Sequence, residues 1–234
     1  MKRAVALAST ILSILLVHIL PASPMKSIFV LGDSLSEGFG LKPRQAYPAL
    51  LTGKLRAAGL DYEILNASQT GGTTEDGLRR LPLRLKRRID IFILELGIND
   101  AFRGLPIEEI RGNLQEIIDR VKRVNPDVRV IICGMQLPNS TADDYVFAFG
   151  QIYADLAAKN NASLVPYLLE GIGGDPALNQ PDRVHPNATG QRLVAENVWR
   201  VLEPIAREVA TTRPPVHFNM RDDGPCATKR TRTK

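Results

Sequence analysis

A serine follows directly after a short apolar run near the start of the chain, in the sequence Gly32-Asp33-Ser34. A run of this kind is typical of a buried strand, and open α/β proteins build their sites where strands end. Glycine permits a tight turn, and a helical turn after it would direct backbone N–H groups at Ser34. The segment therefore suits a nucleophile loop, although an ordinary strand-to-helix turn capped by Asp33 or Ser34 is the alternative.

The three histidines narrow the choice of a catalytic base. His18 lies in an apolar N-terminal stretch and His217 in a basic tail, so a serine that needs an imidazole base is left with His185. Asp182 precedes it by three residues, a spacing that suits a carboxylate bound to the other ring nitrogen. These residues predict acyl transfer through Ser34. The alternative is a polar loop that caps the last helix.

Acyl transfer also requires hydrogen-bond donors for the oxyanion of the tetrahedral intermediate. Asn99 follows the third predicted strand and can offer its side-chain amide. Gly71 and Gly72 follow the second strand and can bring a backbone N–H close, since no side chain intervenes. Each segment alone is typical of a turn. Their joint placement after successive strands, with Asp182 and His185 before the last helix, favours a site.

Short apolar runs alternate with helical patterns along residues 25–210, which predicts βαβ units and a parallel sheet in one α/β domain. The five predicted strands are Ser27 to Leu31, Tyr62 to Ala67, Ile89 to Leu96, Val128 to Cys133 and Ser163 to Pro166. The predicted helices are Ala46 to Ala58, Thr74 to Arg88, Ile107 to Val124, Asp143 to Lys159 and Ala188 to Val209. The near-continuous apolarity of the strands indicates burial on both faces of the sheet.

These segments resemble the SGNH or GDSL hydrolase superfamily, whose four blocks are a GDS serine, a glycine, a GxND asparagine and a DxxH pair. All four occur here in that order, and the resemblance covers Ser27 to Leu202. Three further segments are similar to the bacterial branch of multifunctional acyl thioesterases, lysophospholipases and arylesterases. They are Asn66 to Ser68, Glu95 to Asp100 and Gly134 to Pro138.

The resemblance implies a three-layer α/β/α, flavodoxin-like fold with five parallel strands in the order 2-1-3-4-5. It implies that Ser34 is the nucleophile and that Asp182 orients His185. It also implies an oxyanion hole made by the Ser34 N–H, Gly71 and Asn99. The expected activity is that of a serine hydrolase that cleaves carboxylic esters, with thioesters and lysophospholipids as further small-molecule substrates and no metal or cofactor.

The chain departs from that branch at the glycine block, where Gly71-Gly72 replaces the usual Gly-Asp, so either glycine is a candidate donor. Two other functions stay open. One is a carbohydrate or peptidoglycan O-acetyl esterase, which uses the same four blocks with a smaller acyl pocket. The other is a non-catalytic phosphate- or nucleotide-binding module, because glycine-rich turns bind phosphate. This last function lacks support from the phosphate-binding motifs, because the sequence contains neither a G-x-x-x-x-G-K-[ST] nor a G-x-G-x-x-G string.

Leu137 and Pro138 are the candidate substrate-binding residues, in a loop that would form a wall for an acyl chain. Three aromatic residues follow this loop and would extend the wall: Tyr145, Phe147 and Phe149. Their spacing also fits the core face of a helix, which is the alternative.

The charge distribution gives no reason to expect a nucleic-acid partner. The net charge of +5 comes from Lys2, Arg3 and the six bases and two acids of residues 213–234, and the intervening residues sum to −1. A basic run between Arg79 and Arg88 is expected to be a solvated helix face without a functional role. Nothing in the sequence indicates the oligomeric state.

Residues 1–24 have the layout of a secretory signal: two bases, an apolar stretch and a segment of small residues and prolines. This predicts a periplasmic or secreted protein without a stable membrane span after cleavage. An uncleaved anchor is one alternative, and a true start at Met25, which would give a cytoplasmic protein, is another. Residues 211–234 are rich in Pro, Thr, Lys and Arg and are expected to form a disordered tail.

Overall fold

The computed structural model describes residues 25–81, 87–138 and 144–211, so the predicted signal segment and all but the first residue of the predicted tail lie outside the described residues. Five parallel strands form one sheet in the order β2-β1-β3-β4-β5, which confirms the expected topology. The strands are β1 (Lys26–Leu31), β2 (Tyr62–Asn66), β3 (Ile91–Leu94), β4 (Arg129–Cys133) and β5 (Ser163–Val165).

Helices cover the sheet in two layers. They are α1 (Ser34–Glu37), α2 (Tyr47–Ala57), α3 (Thr74–Arg80), α4 (Ile98–Phe102), α5 (Ile107–Val124), α6 (Asp144–Asn160) and α7 (Ala188–Thr211). In one layer α2 packs against α7, and in the other α5 packs against both α3 and α6. Within the described ranges, no helix combines the length and the apolarity needed to cross a membrane.

The core lies between the sheet and both helical layers. Ile28 and Val30 are fully buried, and so is Leu31, as expected for a central strand that is covered on both faces. The bounds of α5 match the prediction, and its buried residues recur every three or four positions. This burial fixes the carboxyl edge of the sheet, where β1 and β3 end side by side.

The predicted C-terminal end of one helix is wrong. The pattern predicted a helix from Thr74 to Arg88, but α3 ends at Arg80, and Arg87 and Arg88 are not helical. Pro82 explains the early end, because proline has no N–H for the helical hydrogen-bond ladder and its ring clashes with the preceding turn. The remaining bounds differ from the predictions by one or two residues, and α4 was not predicted.

Candidate active site

The structure brings the predicted serine, histidine and aspartate together. Ser34 is the first residue of α1, three positions after the last residue of β1, and its Oγ lies 3.0 Å from Nε2 of His185. Nδ1 of His185 lies 2.7 Å from Oδ2 of Asp182. Asp33 caps α1 by accepting a hydrogen bond from the Leu35 N–H at 2.9 Å, which fixes the backbone on both sides of the serine.

The Asp182 carboxylate is held by its own loop. Its Oδ1 accepts hydrogen bonds from the backbone N–H groups of Val184 and His185, at 2.9 and 3.0 Å. Burial acts to raise the pKa of Asp182, but the hydrogen bonds from His185 and Val184 outweigh it and lower the pKa to about 2. Asp182 is therefore ionised at neutral pH, which favours a proton on Nδ1 and leaves Nε2 of His185 free to accept one from Ser34.

Two residues that the sequence did not indicate support the imidazole from behind. The ring of Phe39 lies against that of His185, with centroids 4.6 Å apart. Gln180 connects them, since its backbone N–H donates to the His185 carbonyl at 2.8 Å and its side chain donates to the Phe39 carbonyl at 2.7 Å. No motif could have indicated the contact between Gln180 and Phe39, because these residues are 141 positions apart in the chain.

Asn99 also reaches the site, on the first turn of α4. It lines the same cavity as Ser34, and its Nδ2 donates to Asp33 Oδ2 at 3.0 Å and to the Gly72 carbonyl at 3.1 Å. Gly97, which precedes α4, has a φ of 120°, and a Cβ there would lie 2.6 Å from the Tyr153 hydroxyl. Glycine is thus needed to turn the chain so that Asn99 faces the nucleophile.

The two candidate glycines differ in the hydrogen bonding of their backbone N–H groups. The Gly72 N–H donates to the Gln69 carbonyl at 3.0 Å, whereas no described residue accepts a hydrogen bond from the Gly71 N–H. Gly71 adopts a φ of 70°, in the left-handed region that favours glycine. The available N–H favours Gly71 as a donor, although Gly71 is not among the residues that line the cavity.

Two carboxyl groups are buried behind the nucleophile. Asp33 and Glu95 have no exposed surface, and burial raises the pKa of Asp33 to about 6. Burial and the neighbouring Asp33 raise the pKa of Glu95 well above its usual range. The half-buried Arg80 donates to the Gly32 carbonyl at 2.6 Å, so the expectation of a solvated basic face is wrong for this residue. The helix turns Arg80 toward the acidic pair, and the charge pattern alone does not show this.

A cavity of about 570 Å3 opens beside Ser34. Leu137 and Pro138 line it, as the sequence indicated, together with apolar residues that the sequence did not indicate. These further residues are Leu35, Ile98, Phe102, Met135, Tyr167 and Leu169. The wall is therefore contributed mainly by residues that follow the strands rather than by α6.

Of the two interpretations of the aromatic residues of α6, the structure favours the helix core face over a substrate wall. Phe149 is fully buried in the core, which fits the alternative of a helix core face. Tyr145 packs partly against the core and donates its hydroxyl to the Leu105 carbonyl at 2.7 Å. Phe147 is 71% exposed. Tyr145 and Phe149 are four residues apart and share the core face of α6, whereas Phe147 lies on the opposite side, so the three do not form one wall.

A serine, histidine and aspartate hydrogen-bonded in series at the carboxyl edge of a parallel α/β sheet define a serine hydrolase. The chain belongs to the GDSL-like lipase/acylhydrolase family, whose model matches residues 30–193. The matched range contains the serine, glycine, asparagine and histidine segments.

Several named proteins are similar to this chain. Esterase TesA of Pseudomonas aeruginosa is 36% identical over 77% of this chain and 89% of that protein. An arylesterase of Vibrio mimicus is 34% identical over 82% and 96%. Thioesterase 1/protease 1/lysophospholipase L1 of Escherichia coli is 33% identical over 79% and 86%. A crystal structure of TesA superposes with a TM-score of 0.73 at 36% identity, covering 77% of this chain and 99% of that one.

Proposed function

We propose that this protein hydrolyses carboxylic esters by transferring the acyl group first to Ser34 and then to water. The observation that carries the proposal is the hydrogen-bonded series from Ser34 Oγ through His185 to Asp182, with separations of 3.0 and 2.7 Å, at the wall of an apolar cavity. A serine hydroxyl is a weak nucleophile at neutral pH, and an imidazole at this distance can accept its proton.

In the first step, Ser34 Oγ forms a bond to the ester carbonyl carbon while its proton passes to Nε2 of His185. The tetrahedral intermediate collapses, the bond to the leaving alkoxide or thiolate breaks, and His185 returns the proton to that group. The ionised Asp182 stabilises the imidazolium that exists between these two transfers. In the second step, His185 removes a proton from water, the water attacks the acyl carbon, and Ser34 leaves with the proton that His185 gives back.

The oxyanion of each intermediate requires donors already in place. The Ser34 N–H, the Gly71 N–H and the Asn99 amide are assigned this role. No described residue accepts from the first two N–H groups, which leaves them available. The Asn99 amide is held by Asp33 and Gly72, and the oxyanion would share one of its hydrogens.

The size and lining of the cavity support the proposal that the substrates carry medium or long acyl chains. Its volume of about 570 Å3 and its predominantly apolar lining exceed the needs of an acetyl group. Similar proteins are named as esterase, arylesterase and thioesterase/lysophospholipase, so thioesters and lysophospholipids are proposed as further substrates.

Turnover of p-nitrophenyl esters and acyl thioesters, from acetyl to palmitoyl, tests both the reaction and its range. We expect a higher kcat/KM for octanoyl than for acetyl esters, and a loss of at least about 1,000-fold in His185→Ala. Strong preference for acetyl esters would support an O-acetyl esterase instead. Near-normal turnover by His185→Ala would reject the assignment of the base.

We also propose that residues 1–24 direct export to the periplasm or the medium. The support is the basic, apolar and small-residue order of that segment. N-terminal sequencing of the protein recovered from the periplasmic fraction should begin near Met25. Recovery only from the cytoplasm would contradict export, and an intact segment on membrane-bound protein would indicate an anchor.

A further inference from the structure

A glutamate with no role in the reaction above lies directly behind the nucleophile loop. Glu95 follows β3 at the carboxyl edge of the sheet, and its side chain is fully buried. Its backbone N–H donates to the Leu31 carbonyl at the end of β1, at 2.8 Å. The position of the Glu95 side chain is therefore set by the two central strands that also set the position of Ser34.

One carboxyl oxygen of Glu95 contacts the nucleophile loop on both sides of Ser34. Glu95 Oε2 accepts a hydrogen bond from the Asp33 N–H at 3.1 Å and another from the Ser36 hydroxyl at 2.5 Å. The Ser36 Oγ also lies 2.8 Å from the Tyr47 hydroxyl. The residue before the nucleophile and the residue two positions after it are thus fixed to the same oxygen atom.

The loop approaches Glu95 so closely that only glycine fits between them. A Cβ added at Gly32 would lie 2.5 Å from Glu95 Oε2 and 2.5 Å from Ser36 Oγ. Contacts of this length do not occur between unbonded heavy atoms of these types, so a side chain here would displace the loop or the glutamate. The Gly32 of the nucleophile motif serves this close contact as well as the turn.

Asp33 extends the support to the oxyanion donor. Its Oδ1 accepts from the Leu35 N–H at 2.9 Å, and its Oδ2 accepts from Asn99 Nδ2 at 3.0 Å. Glu95, Asp33 and Asn99 therefore form a hydrogen-bonded series that is separate from the one through His185. A shift of Glu95 would move the nucleophile and the donor relative to each other.

The charges of this cluster favour a neutral Glu95. Two carboxyl groups in a fully buried site disfavour double ionisation, and burial and the charge of Asp33 both raise the pKa of Glu95. The nearby Arg80 is half-buried and donates to the Gly32 carbonyl, so it offsets the charge of one carboxylate. Glutamine has the shape of a neutral glutamic acid and is the matched replacement.

We propose that Glu95 is a positioning residue for the acyl transfer, and that it acts by holding Asp33 and Ser36 around Ser34 and, through Asp33, the Asn99 amide. This inference rests on the proposed function. Glu95 does not touch the substrate, so its loss should lower kcat while leaving KM nearly unchanged.

The test compares steady-state kinetics of Glu95→Ala and Glu95→Gln with those of Asp90→Ala. Asp90 is the matched control, because it precedes the same strand, is also buried, and accepts the Ser27 N–H at 2.9 Å at the opposite edge of the sheet. Since misplacement of a reacting group by about 1 Å costs roughly 100-fold, we expect a loss of that order in kcat for Glu95→Ala with KM within about threefold. Glu95→Gln should recover kcat to within about tenfold, and Asp90→Ala should stay within about twofold of the wild type.

Normal kcat in a folded Glu95→Ala variant would overturn the proposal, and so would an equal loss in Asp90→Ala or a failure of Glu95→Gln to recover activity. If Glu95→Ala does not fold, Ser36→Ala removes one of the two contacts and should lower kcat by roughly threefold to tenfold at unchanged KM. An unchanged kcat in Ser36→Ala would also overturn the proposal that Glu95 is a positioning residue. Turnover by Ser34→Ala would instead reject the proposed function itself.

Discussion

The two edges of the sheet carry similar residues and differ in how these residues are connected. At the amino edge, before β3, Ser27 donates its hydroxyl to the Arg88 carbonyl at 2.6 Å, and Asp90 accepts the Ser27 N–H. Asn125 accepts the Ile89 N–H at 2.9 Å. A serine, a carboxylate and an asparagine are therefore present at this edge. They bond to backbone groups, and Asp90 also accepts a hydrogen bond from the Arg88 side chain at 2.9 Å.

At the carboxyl edge the same residue types bond to one another. Ser34 contacts His185, which contacts Asp182, and a second series joins Glu95, Asp33 and Asn99. Both series end at the same cavity, where Ser34 and Asn99 lie on the wall. Residue types therefore do not define the site, whereas side chains linked in series and directed at one cavity do.

The largest expected difference in kcat is between substitutions of the aspartates at the two edges. Asp182→Asn should lower kcat by roughly 1,000- to 10,000-fold, because the amide favours the tautomer of His185 that cannot accept the Ser34 proton. Asp90→Asn, at the amino edge, should leave kcat within about twofold. Ester turnover of both purified variants measures the contrast, and equal losses would show that the two edges do not differ as described.

The next largest effect is expected from substituting the asparagine at each edge. Asn99→Ala should lower kcat by roughly 100- to 1,000-fold, the usual cost of removing one oxyanion donor. Asn125→Ala leaves the buried Ile89 N–H without its acceptor, which should cost about 1–3 kcal/mol of stability and leave turnover unchanged. Kinetics and urea unfolding of both variants give the answer. A loss of turnover in Asn125→Ala would contradict the claim that only the carboxyl edge takes part in catalysis.

The smallest effect concerns pH. The folded state raises the pKa of Glu95 above its usual value of 4.5 and that of Asp33 from 3.8 to about 6, so it binds protons more tightly than the unfolded chain does. The free energy of unfolding should therefore fall as the pH rises above about 4. Glu95→Gln should flatten this decline, as measured by Tm between pH 5 and 8.

Asp182 has the opposite sign, since its pKa is lowered to about 2, and its contribution is lost only as the pH falls below the unfolded value of 3.8. A decline in Tm that is equally steep in Glu95→Gln and in the wild type would contradict the assignment to Glu95.

Local patterns were sufficient for the strands, and the resemblance was sufficient for the topology. They also predicted three site residues that the structure places together, namely Ser34, Asp182 and His185. Apolar runs such as Ile28–Leu31 predict buried strands because burial on both faces requires continuous apolarity. The proximity of His185 to Ser34 could be predicted because so few histidines are present. Phe39 and Glu95 could not, because their roles depend on packing between segments far apart in the chain, which no spacing in the sequence encodes.

The cavity shows the same limit. Leu137 and Pro138 were predicted as part of a wall-forming loop and do line the cavity, whereas Tyr167 joins them only because β5 lies beside β4 in the sheet. The sequence left two interpretations open for the aromatic residues of α6, because a helix core face cannot be distinguished from a binding wall without knowing where the helix lies.

Covalent labelling of the nucleophile tests the central claim most directly. Intact mass after treatment with a fluorophosphonate should show one adduct on the wild type and on Ser27→Ala, whose serine lies at the amino edge, and none on Ser34→Ala. Loss of labelling should coincide with loss of ester turnover. An adduct that persists on folded Ser34→Ala together with undiminished turnover would contradict the account.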